Sequence, residues 1–105
     1  MVPSDYTFSP SSFEDLHFNP HAWSKGGKQA LAGFPNGYGA SVVQFDGSYG
    51  YEQGLWELAV IEVNEGGFDL TYKTPITDDV LGHLAPEDVT ETLQRIAALP
   101  GKVYA

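Results

Sequence analysis

Residues able to do chemistry are few in this chain, and the densest group is Asp46-Gly-Ser-Tyr-Gly-Tyr-Glu-Gln-Gly54. It sets two carboxylates and two phenols among three glycines. Tyrosine joins an apolar body to a polar tip, and loops carry binding residues on a rigid scaffold, so this stretch suits contact with a partner. Asp46, Tyr49, Tyr51 and Glu52 are its candidate binding residues, and Glu65 in the next turn adds a further carboxylate. The same loop would also roof a small pocket, which leaves a ligand-binding domain or small enzyme as the alternative.

The remaining candidates are weaker. Glu57 lies within an otherwise apolar run, where a carboxylate is unusual enough to be a candidate acid–base group. His17 and His21 have the i, i+4 spacing of helical metal ligands, but Pro20 interrupts the helix that would align them. Asp78 and Asp79 read as capping groups of a helical turn. Ser24-Lys-Gly-Gly-Lys28 has the composition of a phosphate-binding loop without its spacing, and no Ser or Thr follows the Lys. The chain has no Cys, and nothing joins a nucleophile to a base and an oxyanion site. The expectation is a protein without catalytic residues, metal ligands or cofactor, that is, not an enzyme.

Charge is the strongest compositional signal. Fourteen acids face five bases, for a formal net charge of −9. From Asp46 onward there are eleven acids against Lys73, Arg95 and Lys102. Such a chain repels phosphate and anionic lipid and is steered towards basic surfaces, which excludes direct nucleic-acid binding through a basic stripe. No apolar run approaches the roughly 20 residues of a membrane helix, and the N-terminus lacks the regions of a signal peptide. A soluble protein of the cytoplasm is the expectation, with a host protein of basic surface as its partner.

These residues need elements to position them, and the longest apolar run, Leu55 to Val63, is the strand around which the others are arranged. Trp56, Leu58 and Val60 point one way, and Ala59, Ile61 and Val63 the other. A strand apolar on both faces is covered on both. One cover is the C-terminal helix. The other is the N-terminal arm or a second copy of the chain, which would make a homodimer through that face. Val89, Leu93, Ile96 and Ala97 form the helix stripe, Pro86 sits at its first position, and Pro100-Gly101 stops it.

The spacing predicts an α+β fold. A four- to five-stranded antiparallel meander runs over 15–18, 29–34, 39–45, 55–63 and 68–73, with one helix over 87–98 packed on one face. Pro35-Asn36-Gly37 turns the second strand into the third, with Asn-Gly accepting positive φ. Thr77 to Leu84 reads as a short helical turn. Residues 1–13 form a flexible N-terminal arm, and 14–105 a single domain. Trp56, Leu58, Val60, Ile61, Val42, Leu70, Leu93 and Ile96 are the expected core.

Three blocks carry a resemblance. Phe34-Pro-Asn-Gly-Tyr-Gly-Ala-Ser-Val-Val43, Gly54-Leu-Trp-Glu-Leu-Ala-Val60 and Leu70-Thr-Tyr-Lys-Thr-Pro-Ile-Thr-Asp-Asp-Val-Leu-Gly-His-Leu84, followed by the terminal helix, resemble a group of small proteins encoded by tailed phages and prophages. The likeness spans roughly residues 14 to 100, and Ala85 stands where the group's pattern has a Thr or Ser helix cap. That group has no settled activity, so the resemblance implies a context and no catalytic residues: a bacterial host cytoplasm during infection or lysogeny. Together with the acidity it implies an inhibitor of a host nucleic-acid-acting defence protein, of the anti-CRISPR or anti-restriction kind. A phage accessory protein without inhibitory role is the blander alternative.

Overall fold

The strand β5 (Trp56–Asn64) has a full neighbour on one side and two partial ones on the other. A computed structural model describes residues 6–20, 26–48, 50–64, 67–71, 74–77 and 80–101. Before β5 come β1 (Tyr6–Phe8), β2 (Asn19–Pro20), β3 (Lys28–Gly33) and β4 (Tyr38–Gln44); after it come β6 (Gly67–Leu70), β7 (Leu81–Leu84) and the helix α1 (Pro86–Ala97). The strands β3, β4 and β5 form an antiparallel centre. The outer edge of β3 is shared by β1 and β2, and that of β5 by β6 and β7. The fold is α+β with a mostly antiparallel sheet and one C-terminal helix, as the periodicities predict.

Register places the core. Ala30 lies opposite Val42 and Val42 opposite Leu58, while Ala32 lies opposite Ala40 and Ala40 opposite Val60. These side chains share one face, and α1 lies on it with Val89, Leu93 and Ile96 fully buried. Each such burial is worth about 1.5–3 kcal/mol. Ala97, expected in the stripe, is exposed, and Thr92 takes the fourth buried position. Its hydroxyl donates to the Asp88 carbonyl at 2.8 Å, so the buried polar group is satisfied. Pro86 opens the helix, and the Asp88 carboxylate accepts from the Ala85 N–H at 3.0 Å. This is half a capping box, since the Ala85 methyl accepts nothing in return.

Four expectations are corrected. Tyr6–Phe8, expected within the flexible arm, form β1, which pairs in parallel with Leu31–Gly33 at the sheet edge. The outer edge of β3 offers unpaired backbone groups, and a strand satisfies them where an overlying arm would not. The Ser12 to Phe18 segment holds a single turn of 3₁₀ helix, Phe13–Asp15, and its strand comes later, at Asn19–Pro20. Leu81–Leu84 is a strand instead of a helical turn, because β6 covers only Ile61 to Asn64 of β5 and leaves the Trp56 end open for β7. Leu70 is 49% exposed, since its strand is at the sheet edge, on the face away from α1.

That second face carries Leu31, Val43, Ala59 and Ile61, all buried. One row across it runs Phe8, Gly33, Gly39, Ile61, Leu70, with Phe8 73% exposed at one edge and Leu70 standing out at the other. Asn64 pairs with Gly67 and Ile61 with Leu70, so Ile61 and Leu70 share this face. Residues 72 and 73 of the expected last strand lie outside the described residues.

The β3–β4 turn uses its residues differently from the expectation. Only Gly37 takes positive φ, at 88°, in a three-residue loop. Asn36 does other work. Its amide donates to the carbonyls of Ile96 at 2.8 Å and Leu99 at 3.2 Å, and its carbonyl oxygen accepts from the Tyr38 N–H at 3.0 Å. A hairpin side chain thus satisfies helix carbonyls that have no partner within α1.

Three substitutions test this account by chemical denaturation. Ile96→Ala is expected to cost about 2–5 kcal/mol, and a loss below about 1 kcal/mol would mean the stripe is not the core contact. Asn36→Ala is expected to cost about 1–3 kcal/mol. Asn36→Asp should cost at least as much, since it puts a negative charge beside the carbonyl end of the helix.

Candidate functional site

Two cavities open at the end of the sheet where β3 and β5 begin and β4 ends, with Lys28 opposite Gln44 and Trp56 opposite Leu84. The first lies under the β4–β5 loop. Its volume is about 330 Å³, and it is lined by Asp46, Gly47, Ser48, Gly50, Tyr51, Glu52 and Gln53, with His83 from β7. Three of the residues singled out from sequence, Asp46, Tyr51 and Glu52, therefore come together around one concavity. All three are exposed, Tyr51 by 40%. Tyr49 and Glu65 lie outside the described residues. The strand ends that flank Glu65, Asn64 and Gly67, meet at the opposite end of the sheet from this loop.

The loop is held in shape by its own backbone. The Ser48 hydroxyl donates to the Phe45 carbonyl at 2.8 Å and accepts from the Phe45 N–H at 3.0 Å. A 3₁₀ turn over Tyr51–Gln53 follows, and the N–H groups of Gln53 and Leu55 both donate to the Gly50 carbonyl at 3.0 Å. The Gln44 amide then donates to the Leu55 carbonyl at 3.2 Å, tying the strand ends together. Gly50 is required where it stands. Its φ is +92°, and a Cβ there would lie 2.9 Å from the Cα of His83. His83 itself is a non-glycine residue at φ 56°, a conformation few side chains adopt.

Chemically this cavity offers carboxylate and phenol oxygens as acceptors. That inventory suits a cationic group such as a lysine ammonium or an arginine guanidinium. The sequence groups His83 only with His17 and His21, as a remote metal-site alternative, and nothing in it links His83 to a loop some thirty residues earlier. Glu57 does not join the cavity: it lies half-buried on the second face, opposite Val43. His17 is exposed, and His21 lies outside the described residues. Among the described residues no group of three or more His, Asp or Glu is placed to hold a metal ion.

The second cavity is apolar. About 640 Å³ in volume, it is lined by Phe13, Phe18, Asn19, Pro20, Gly26, Gly27, Lys28 and Trp56. The rings pack on one another: Phe18 lies 4.6 Å from Trp56 between centroids, and Phe13 lies 5.2 Å from Trp56 at 62°. The sequence gives no sign of this group, because Phe13 and Phe18 fall in a segment read as arm and edge strand.

Acids crowd the same end. Asp46 and Glu52 are exposed on the loop, Glu57 starts β5, and Glu87 and Asp88 open α1 directly after β7. Others lie elsewhere: Glu14 and Asp15 in the 3₁₀ turn, and Glu62 opposite Asp69 at the far end. Against ten acids in all, the described residues hold two cationic side chains, Lys28 and Arg95.

Compared with known proteins, the chain matches no family model, no curated protein and no solved structure. No helix among the described residues is long and apolar enough to cross a membrane.

Gly50 provides the test of the site's architecture. Gly50→Ala is expected to lower stability by about 1–3 kcal/mol and to speed amide exchange across Leu81–Leu84, because the new methyl pushes on His83. Unchanged exchange in β7 would show that the loop and strand are not in contact.

Proposed function

We propose that this protein works by binding a basic surface of another protein through the β4–β5 loop end. The observation that carries the reading is the meeting of Asp46, Tyr51 and Glu52 around one cavity of about 330 Å³ in a chain of net charge −9. A preshaped loop loses little conformational freedom on binding. Its acids attract a basic surface over the 8–10 Å or so that physiological salt allows, and Tyr51 supplies a body that desolvates on contact. Glu57, Glu87 and Asp88 extend the negative field at this end.

The partner class we favour is a host nucleic-acid-acting defence protein, with this chain as its inhibitor in the cytoplasm of a phage-infected or lysogenic bacterium. Two observations support it: the acid excess, which suits a groove built for phosphates, and the three sequence blocks that resemble small phage proteins. The acids do not form one continuous face, since Glu62 and Asp69 sit at the far end. The contact is therefore local to the loop end, and a full imitation of a nucleic-acid backbone is not required.

Capture from a bacterial lysate followed by kinetic measurement tests the reading. Replacing Asp46 and Glu52 together by amides should slow association and leave the thermal midpoint unchanged, whereas Tyr51→Ala should speed dissociation. Association of the unmodified protein should slow by about tenfold between about 50 and about 500 mM salt. A salt-independent association rate would remove the electrostatic basis.

A further inference from the structure

We propose that the aromatic cavity beneath the N-terminal end of the sheet's centre is a second binding site, for a small ligand with an aromatic body and a single carboxylate. It shares no lining residue with the acidic cavity, so it does not depend on the reading above. Its volume, about 640 Å³, falls in the roughly 300–1,000 Å³ range of small-molecule sites. Trp56 forms one wall and is nearly buried, while Phe13 and Phe18 are half-buried and present ring surface to the opening. The three rings pack tilted or edge-on to one another, at 35–62°, an arrangement that a further flat ring extends by the same offset contacts.

Lys28 decides the charge of the ligand. Aromatic walls alone would also accept a cation through the ring faces. An ammonium at the rim repels a cation and draws an anion. Lys28 is exposed and makes no ion pair with a described residue, although acids outnumber bases fourteen to five in the chain. A single carboxylate is favoured over a phosphate dianion, because Glu57, Glu87 and Asp88 at the same end, with the net charge of −9, oppose each added negative charge. The ring lies against Phe18 and Trp56, and the carboxylate stays at the rim beside Lys28.

Heteronuclear NMR titration of the full chain tests this with 2-naphthylacetate and its neutral analogue 2-naphthylacetamide. Saturable shifts are expected at the Trp56 indole N–H and at the amides of Gly27 and Lys28. The acid should bind about tenfold more tightly than the amide. Lys28→Met keeps most of the side chain's apolar stem and should bring the acid to the amide's affinity without changing the amide's. Phe18→Ala should weaken both, with retained amide dispersion as the check on folding. Equal binding of acid and amide to the unmodified chain would overturn the role of Lys28. No saturable shift with either up to about 10 mM, or shifts centred on Asp46, Tyr51 and His83, would overturn the site.

Discussion

The close seating of α1 on the alanine-bearing face of the sheet is the contact from which the rest follows. Ala30, Ala32 and Ala40 have no side chain beyond Cβ, so the helix approaches the strands closely enough for Val89, Leu93 and Ile96 to reach Val42, Leu58 and Val60. Large residues at those alanines would lift the helix and leave voids on either side. Small-against-large packing of this kind fixes one helix position along the sheet. That position carries the helix's carbonyl end to the β3–β4 turn, where Asn36 holds it. It also carries the helix's start next to β7 and the Trp56 end of β5.

Much of this was legible before the structure. The three central strands, the terminal helix and the facing of Trp56, Leu58 and Val60 follow from period-2 and period-3.6 patterns, which register and burial preserve. What was not legible depends on edges. A central strand must be apolar on both faces, so it declares itself. An edge strand needs only a backbone gap beside it, and its sequence is free. The three-residue β1 and four-residue β7 fill such gaps, on β3 and on one half of β5. Thr77-Asp78-Asp79 has the composition of a helix cap, which is why the Leu81–Leu84 stretch reads as a helical turn.

The candidate site shows the same division. Asp46, Tyr51 and Glu52 could be singled out because a glycine-rich loop with acids and phenols is recognisable as a unit. A pocket under that loop was expected as well; its far wall, His83, was not, since β7 brings it there. Asn36 is the complementary lesson. Its type and neighbours fit a turn residue wanting positive φ, yet only Gly37 takes that conformation. The side chain is retained for a distant purpose, hydrogen bonds to Ile96 and Leu99 some sixty residues on. Local rules name the residue correctly and miss its partner, because the partner is set by helix placement.

Connection length explains why acidic and aromatic cavities open at one end. At the other end, β3 joins β4 through Pro35 to Gly37, and β5 joins β6 through two residues. Connections that short leave few side chains to line a cavity, and Asn36 is already bonded to the end of α1. The first end instead receives the residues between Gln44 and Trp56, the start of β3 and the passage from β7 into α1. Side chains there lie at the last rungs of the ladder or within a few residues of it. Asp46 and Glu52 are exposed on a loop fastened by Ser48 and the Gly50 carbonyl, and Lys28 is exposed at the first position of a strand. Charge presented from fixed backbone can discriminate between ligands, and here acidic and basic groups sit on different cavities of the same end.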